Sequence, residues 1–275
     1  MTPTGLRAGV MGWPVEHSLS PRLHGWWLKR YSIEGSYVPL AVPPEGLGKA
    51  LRDLPAQGFR GVNLTVPHKE AALVHIDHID TVVKRIGAVN TVIVRADGTL
   101  EGRNTDTYGF AENLRTAGYK PDGRAAVIIG AGGAARAAVA ALQDMGVKEI
   151  RIINRSAARA QKLAADFGNG IKIHGWGDAQ ALEGTGLLVN ATSLGLKGQP
   201  MLDIALDALP KDTLVTDMVY APLVTDLLLR AGARGNPVLD GLGMLLHQAL
   251  PSFAAFFGHD PEVTEELRRF VLIKT

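Results

Sequence analysis

The 275-residue chain contains no cysteine. That excludes disulfides, thiolate zinc sites and a cysteine nucleophile, and it suits a cytoplasmic protein. An excess of charge of one sign is also missing. Lysine and arginine total 29 against 27 acids, a net charge of +2, which leaves no electrostatic footprint for nucleic acid. The main run free of Asp, Glu, Lys and Arg, residues 241–258, contains His247, Gln248, Pro251 and Ser252. It therefore reads as a buried helix, and no membrane span is expected. The segment Met1 to Arg7 has no apolar core of the kind a secretion signal needs. No His/Asp/Glu cluster has metal-ligand spacing, so no metal is expected. There is no internal repeat.

What the chain does have is a glycine turn between a strand and a helix. Residues 125–129 are apolar throughout and predict a buried parallel strand. Gly130, Ala131, Gly132, Gly133 and Ala134 follow, and residues 134–145 favour a helix closed by Gly146. Residues without a Cβ let backbone N–H groups approach a pyrophosphate, and the helix N-terminus faces that anion. The spacing is Gly-x-Gly-Gly, with Ala135 where a third glycine usually stands; by itself such a string also fits a simple tight turn. The next strand, 149–153, ends in Asn154-Arg155-Ser156, with Arg159 one turn on, and no acid occurs between Ile150 and Ala165. NAD-binding folds usually carry an Asp or Glu there for the ribose hydroxyls. Two arginines offer bidentate bonds to a 2′-phosphate instead, so NADP is expected over NAD.

The pattern predicts an α/β protein of two lobes. Before the glycine turn, strands 6–11, 36–42 and 59–66 alternate with helices 22–31 and 44–54, and a hairpin pairs 89–95 with 99–103. After a helix at 107–117 comes a Rossmann-like half with strands at 125–129, 149–153, 171–174, 187–191, 213–217 and 237–239; helices at 241–257 and 264–272 close the chain. Three polar clusters lie at strand or hairpin ends, where ligands of open α/β sheets bind. They are His17-Ser18 with Ser20, Asn63-x-Thr65 leading to His68-Lys69, and Asn90-Thr91 with Asn104-Thr105-Asp106. Ser20 before Pro21 also fits an N-cap, and Asn and Asp fit turns. A lysine at a helix N-terminus opposes the dipole, which favours a functional role for Lys69. Lysine and aspartate suit carbonyl or alcohol chemistry: an ammonium supplies a proton to an oxygen gaining charge, and a carboxylate positions it.

Taken together, several motifs resemble the shikimate dehydrogenase family over most of the chain. They are Gly12-x-Pro14-x-x-His17-Ser18-x-Ser20-Pro21, Gly61-Val-Asn63-Leu-Thr65-Val-Pro67-His68-Lys69, Gly87-Ala-Val-Asn90-Thr91, Gly102-Arg-Asn104-Thr105-Asp106, Asn190-Ala-Thr192-Ser193, Asp217-Met-Val-Tyr220-x-Pro222 and Gly241-Leu-Gly243-Met244-Leu-Leu-His247-Gln248-Ala249. Gly25-Trp26-Trp27 after His24 departs from the commonest pattern. The resemblance implies a discontinuous substrate-binding and catalytic domain, 1–106 and 240–275, around an NADP-binding domain, 107–239. It implies NADPH-dependent reversible reduction of 3-dehydroshikimate to shikimate, in aromatic amino acid biosynthesis. Lys69 and Asp106 would be the catalytic pair. Ser18, Ser20 and Tyr220 would bind the substrate carboxylate, and Asn63, Thr65, Asn90 and Gln248 its hydroxyls. The cofactor set would be residues 130–134, Asn154, Arg155, Ser156, Arg159, Thr192, Ser193, Met218, Gly241 and Met244, with Gly243 also beside the nicotinamide. The alternatives are an NAD-preferring quinate/shikimate dehydrogenase and a non-catalytic shikimate or quinate sensor. Lys69 and Asp106, both present, argue against the sensor. A monomer and a homodimer both remain open.

Overall fold

The computed structural model describes residues 5–273. Met1 to Thr4, where the segment read for a secretion signal begins, and Lys274 and Thr275 lie outside the described residues. Contacts divide the chain into two compact units, Met1–Thr105 with Leu246–Thr275, and Asp106–Leu245.

The first unit opens with β1 (Leu6–Gly12), α1 (Ser20–Arg30), β2 (Gly35–Ala41), α2 (Leu47–Asp53) and β3 (Phe59–Leu64). It continues through α3 (His68–Ala71), β4 (His78–Ile79), α4 (Thr81–Ile86), β5 (Thr91–Val94) and β6 (Leu100–Arg103). Its sheet has the order β2-β1-β3-β5-β6-β4. The βαβαβ segment pairs in parallel, and β5 and β6 form the expected antiparallel hairpin. Two local expectations are corrected. Leu19, not Ser20, holds the cap position of α1 and no side chain caps it, so Ser20 is the first helical residue and is buried. Pro21 sits in the first turn, where its missing N–H leaves no bond unmade. In addition, α3 is a single turn of 4 residues, continued as a 3₁₀ turn at Ala72–His75. So short a helix sums few peptide dipoles, and the dipole argument for Lys69 loses its force.

The two aromatic residues of α1 that break the family pattern fall on different faces. Trp27 is fully buried and its Nε1 donates to Glu262 O at 3.0 Å, whereas Trp26 is only half-buried. His24, one turn before Leu28, stacks on Tyr37 with ring centroids 3.9 Å apart. Neither nitrogen of the buried His24 ring has a hydrogen-bond partner. Burial therefore pulls its pKa down to about 3.

The second unit runs α5 (Asp106–Thr116), β7 (Ala125–Ile129), α6 (Gly133–Asp144), β8 (Ile150–Ile153), α7 (Ala157–Phe167), β9 (Ile171–His174), β10 (Thr185–Asn190), β11 (Leu214–Asp217), α8 (Asp226–Ala233) and β12 (Val238–Leu239). The sheet order is β12-β11-β10-β7-β8-β9, all parallel. This is the doubly wound order, and it places a switch point between β7 and β10. Every residue of β7 and β10 is buried, which is why β7 reads as a continuous apolar run and β10 carries Leu187, Leu188 and Val189 at its centre. Met145 caps α6, and Gly146 follows at φ +90°. There Gly146 N–H bonds Gln143 O and Val147 N–H bonds Leu142 O at 2.9 Å, a Schellman closure.

Helix α9 (Leu242–Phe257) is continuous through the division after Leu245, and α10 (Glu265–Leu272) follows it. The early turn of α9 belongs with the second unit, because Met244 packs in the cluster of Phe110, Ala131 and Ala135. The rest lies on the sheet of the first unit. A Cβ on Gly61 of β3 would run into the Phe256 ring at 2.5 Å, so the glycine is what lets that ring rest on the strand. Thr264 caps α10 through Leu267 N–H, and Arg22 Nε bonds Phe270 O at 2.8 Å. None of the described helices is long and apolar enough to cross a membrane.

Candidate active site

In the first unit several of the polar residues singled out from the sequence meet in one buried network. Asn63 on β3 donates from Nδ2 to Thr91 Oγ1 and Ser252 Oγ, both at 2.9 Å, and to Asn90 O at 3.1 Å. Its Oδ1 accepts from the Tyr37 hydroxyl at 2.7 Å. Asn90 continues the chain: its Nδ2 donates to Thr105 Oγ1 at 2.9 Å and to Gln248 Oε1 at 3.4 Å, and its Oδ1 accepts from Thr105 N–H at 2.8 Å. Each of these groups is buried, and mutual satisfaction is what makes that burial tolerable. The side chains arrive from β2, β3, β5, the end of β6 and α9. Gln248 and Ser252 are four apart on α9 and so share a face.

The residues flanking the network are held by the backbone. Thr65 N–H bonds Met11 O and its carbonyl accepts from His68 N–H, both at 2.9 Å. His68 is buried, and its Nε2 bonds Val42 O at 2.7 Å. Lys69 O accepts from Val89 N–H at 2.8 Å, so the root of this half-buried lysine is fixed on both sides. Ser18 Oγ accepts from Ser20 N–H at 3.3 Å, tying the two serines into one turn.

In the second unit the glycine turn is a cradle made of backbone. Gly130 has φ +119°, and a Cβ there would lie 3.0 Å from Ala191 O. Gly132 occupies the cap position of α6 and no side chain caps that helix, so its first N–H groups are left for an anion. Arg159 Nη2 lies 3.7 Å from where a Gly132 Cβ would stand, which brings a guanidinium beside the turn. A dinucleotide phosphate fits these features: bare backbone, an uncapped helix start of 12 residues and a neighbouring cation. The ends of β10 and β11 are braced by a second polar cluster. Asn190 Nδ2 donates to Asp217 Oδ1 at 2.9 Å, Thr225 Oγ1 donates to Asp217 Oδ2 at 2.7 Å, and Thr192 Oγ1 donates to Asn190 Oδ1 at 2.8 Å. Burial pushes the Asp217 carboxyl up from its ordinary pKa, against the pull of these bonds.

Two family models match the chain: the shikimate dehydrogenase substrate binding domain over residues 10–92, and shikimate / quinate 5-dehydrogenase over residues 114–194. A relative from Paramagnetospirillum magneticum, named shikimate dehydrogenase (NADP(+)), is 60% identical over 96% of this chain and 97% of its own. The chain belongs to the shikimate dehydrogenase family. A crystal structure of shikimate 5-dehydrogenase from Thermus thermophilus, in complex with NADP(H) and shikimate, superposes with a TM-score of 0.87 at 40% identity, covering 97% of this chain and all of that one. Quinate dehydrogenase from Corynebacterium glutamicum, in complex with NAD, has a TM-score of 0.85 at 29% identity and covers 97% of each chain.

Against the shikimate dehydrogenase pattern, the structure distributes the expected residues as follows. Ser18, Ser20, Asn63, Thr65, Lys69, Asn90 and Gln248 lie in the first unit, and of these Asn63, Asn90 and Gln248 join the one network. Asp106 is the buried first residue of α5, and Tyr220 is half-buried three residues past β11; both lie in the second unit. There too are Gly130, Ala131, Gly132, Gly133 and Ala134 at the turn, and Asn154, Arg155, Ser156 and Arg159 after β8. Ser156 caps α7 through Arg159 N–H, and Asn154 Nδ2 bonds Ser156 O at 2.8 Å. Thr192 spends its hydroxyl on Asn190 while Ser193 is exposed. Gly241 admits Met218 O, which would lie 2.6 Å from a Cβ, and Gly243 makes room for Asn113 Oδ1. Thr105, part of the third polar cluster, joins the network as well; Tyr37 and Ser252 are the members for which the sequence suggests no site role. Ser252 was within reach, since it stands one turn beyond Gln248; Tyr37 carries no such signal, because its partner lies 26 residues away.

Proposed function

We propose that this chain catalyses the reversible, NADPH-dependent reduction of 3-dehydroshikimate to shikimate in the cytoplasm, on the route to aromatic amino acids. The observation that carries this is 60% identity, over nearly the whole of both chains, to a relative named shikimate dehydrogenase (NADP(+)). NADPH, when bound, supplies the hydride. The residues 130–134, Asn154, Arg155, Ser156, Arg159, Thr192, Ser193, Met218, Gly241 and Met244 would hold it. Lys69 Nζ would give a proton to the ring oxygen as charge builds there, and take it back in the reverse direction. Asp106 would orient the ammonium and a substrate hydroxyl. Ser18, Ser20 and Tyr220 would receive the carboxylate through neutral hydroxyls, and Asn63, Thr65, Asn90 and Gln248 would receive the ring hydroxyls. The assignment divides the chain into a substrate domain, 1–106 with 240–275, and an NADP domain, 107–239, working as a monomer or homodimer.

The test is initial-rate absorbance at 340 nm with shikimate or quinate, each with NADP or NAD. Turnover concentrated in the shikimate and NADP combination is expected. Equal or better use of quinate with NAD would move the chain to the quinate/shikimate reading. Binding of shikimate with no turnover in any combination would make it a sensor.

A further inference from the structure

One exposed aromatic ring of the second unit stands beside a charge. Trp176 is 38% exposed, and the guanidinium carbon of Arg155 lies over its indole, 5.8 Å from the ring centroid. The sheet register accounts for the meeting. β8 and β9 run parallel with Ile153 opposite His174, so Arg155 and Trp176 are each two residues beyond a paired position. Both emerge at the carboxyl end of the sheet, where ligands of doubly wound folds bind.

The turn that carries Trp176 is braced. His174 Nδ1 and Asp178 Oδ2 are 2.8 Å apart, Asp178 Oδ1 accepts from Gln180 N–H at 3.0 Å, and Asp178 N–H bonds Gly175 O at 3.2 Å. The indole therefore stands on a fixed platform. Arg155 is exposed and its long side chain has much rotamer freedom to lose on binding an anion. A guanidinium laid over an indole engages through its face, leaving its in-plane N–H groups to meet a phosphate in bidentate fashion. Arg159, by contrast, has its guanidinium beside the glycine turn. The two arginines of the strand end thus have separate surroundings.

We propose that Trp176 is a positioning residue for cofactor choice: its ring pre-orients Arg155 to meet a ribose 2′-phosphate, and so adds to the preference for NADP over NAD. This rests on the reading that the second unit binds NADP. The test is calorimetric titration of the full-length protein with 2′,5′-ADP and with 5′-AMP, for the wild type, Trp176→Ala, Trp176→Phe, Arg155→Ala and the double variant Trp176→Ala/Arg155→Ala. Trp176→Ala is expected to weaken 2′,5′-ADP about two- to fivefold and leave 5′-AMP unchanged. Trp176→Phe should restore most of the loss. In the Arg155→Ala background the tryptophan change should add nothing, since the ring acts through that arginine. The KM for NADP should rise with kcat unaltered. Equal weakening of both nucleotides would overturn the proposal and assign the ring to the adenine, as would an undiminished effect in the Arg155→Ala background. A wild type that prefers 2′,5′-ADP beside a Trp176→Ala variant with the same affinity overturns this proposal alone. A wild type that binds the two nucleotides equally overturns the NADP reading and this proposal with it.

Discussion

The sheet that carries the glycine turn and the sheet that carries Asn63 treat polar groups in opposite ways. All of β7 is apolar and buried, and what it offers beyond its end is backbone, at Gly130 and the uncapped start of α6. β3 instead buries an amide side chain in mid-sheet and satisfies it with Tyr37, Thr91 and Ser252. A backbone site needs only a few neighbouring residues and tolerates most side chains elsewhere. A side-chain site needs donors and acceptors from several elements, each held to within a few tenths of an ångström. One consequence is that single substitutions should act differently in the two units.

The largest contrast should come from Lys69. If the side-chain site carries the proton transfer, Lys69→Ala should lower kcat by about 10²–10⁴ with a much smaller change in KM for shikimate. Near wild-type turnover in steady-state assays would remove Lys69 from the chemistry and blur the contrast at its strongest point.

Acid should distinguish the units next. The pKa of His24 is about 3 in the fold against 6.5 for the free side chain. Between those values the unfolded chain binds the extra proton, so stability falls as pH drops from about 6.5 toward 3. The loss by about pH 4 should be on the order of 3 kcal/mol, read from urea midpoints across that range. His24→Phe, which keeps a ring against Tyr37, should flatten the profile. Hydrogen exchange in mild acid should then show the first unit opening before the second; simultaneous opening would mean that His24 does not set the acid limit.

A smaller and more selective effect is expected where the second unit does use side chains. Arg155→Ala should raise KM for NADP by roughly 10- to 100-fold, about 1.4–2.8 kcal/mol, and leave NAD nearly unaffected. A variant equally impaired with both cofactors would show that Arg155 supports the cradle as a whole. The smallest effect should be that of Tyr37→Phe, which takes away the donor to Asn63 Oδ1 and keeps the ring under His24. About 1 kcal/mol of stability should be lost, with a rise in KM for shikimate that exceeds any change in KM for NADP. Equal shifts in both would place the Tyr37 hydroxyl outside the substrate network.

Much of the second unit was legible because its signals are local. The apolar run 125–129, the glycines at 130, 132 and 133, and the missing acid after β8 each lie within one short stretch, and the strands appear within one or two residues of their expected limits. The candidate residues of the first unit were legible mainly as motifs. Lysine and aspartate suited carbonyl or alcohol chemistry, yet nothing in the order of residues showed that Asn63 and Ser252, 189 positions apart, would share a hydrogen bond. Local rules also failed at two of these points. Ser20 lost the cap position to Leu19 as the helix began one residue early, and α3 proved to be one turn, too short for the dipole argument about Lys69.

By itself, then, the sequence determined the order of most strands and helices, though not β4 or α4, along with the βαβαβ segment, the Rossmann-like half, the glycine turn and the pair of arginines after β8. These follow from periodicity and backbone freedom, which act over a few residues. Tertiary structure alone decided which polar side chains meet: α9 brings Gln248 and Ser252 to Asn90 and Asn63, and the register of β8 with β9 sets Trp176 under Arg155. Hydrogen bonds and ring contacts are fixed by distance in space, and the chain closes those distances only when the apolar faces of its helices and sheets are buried together.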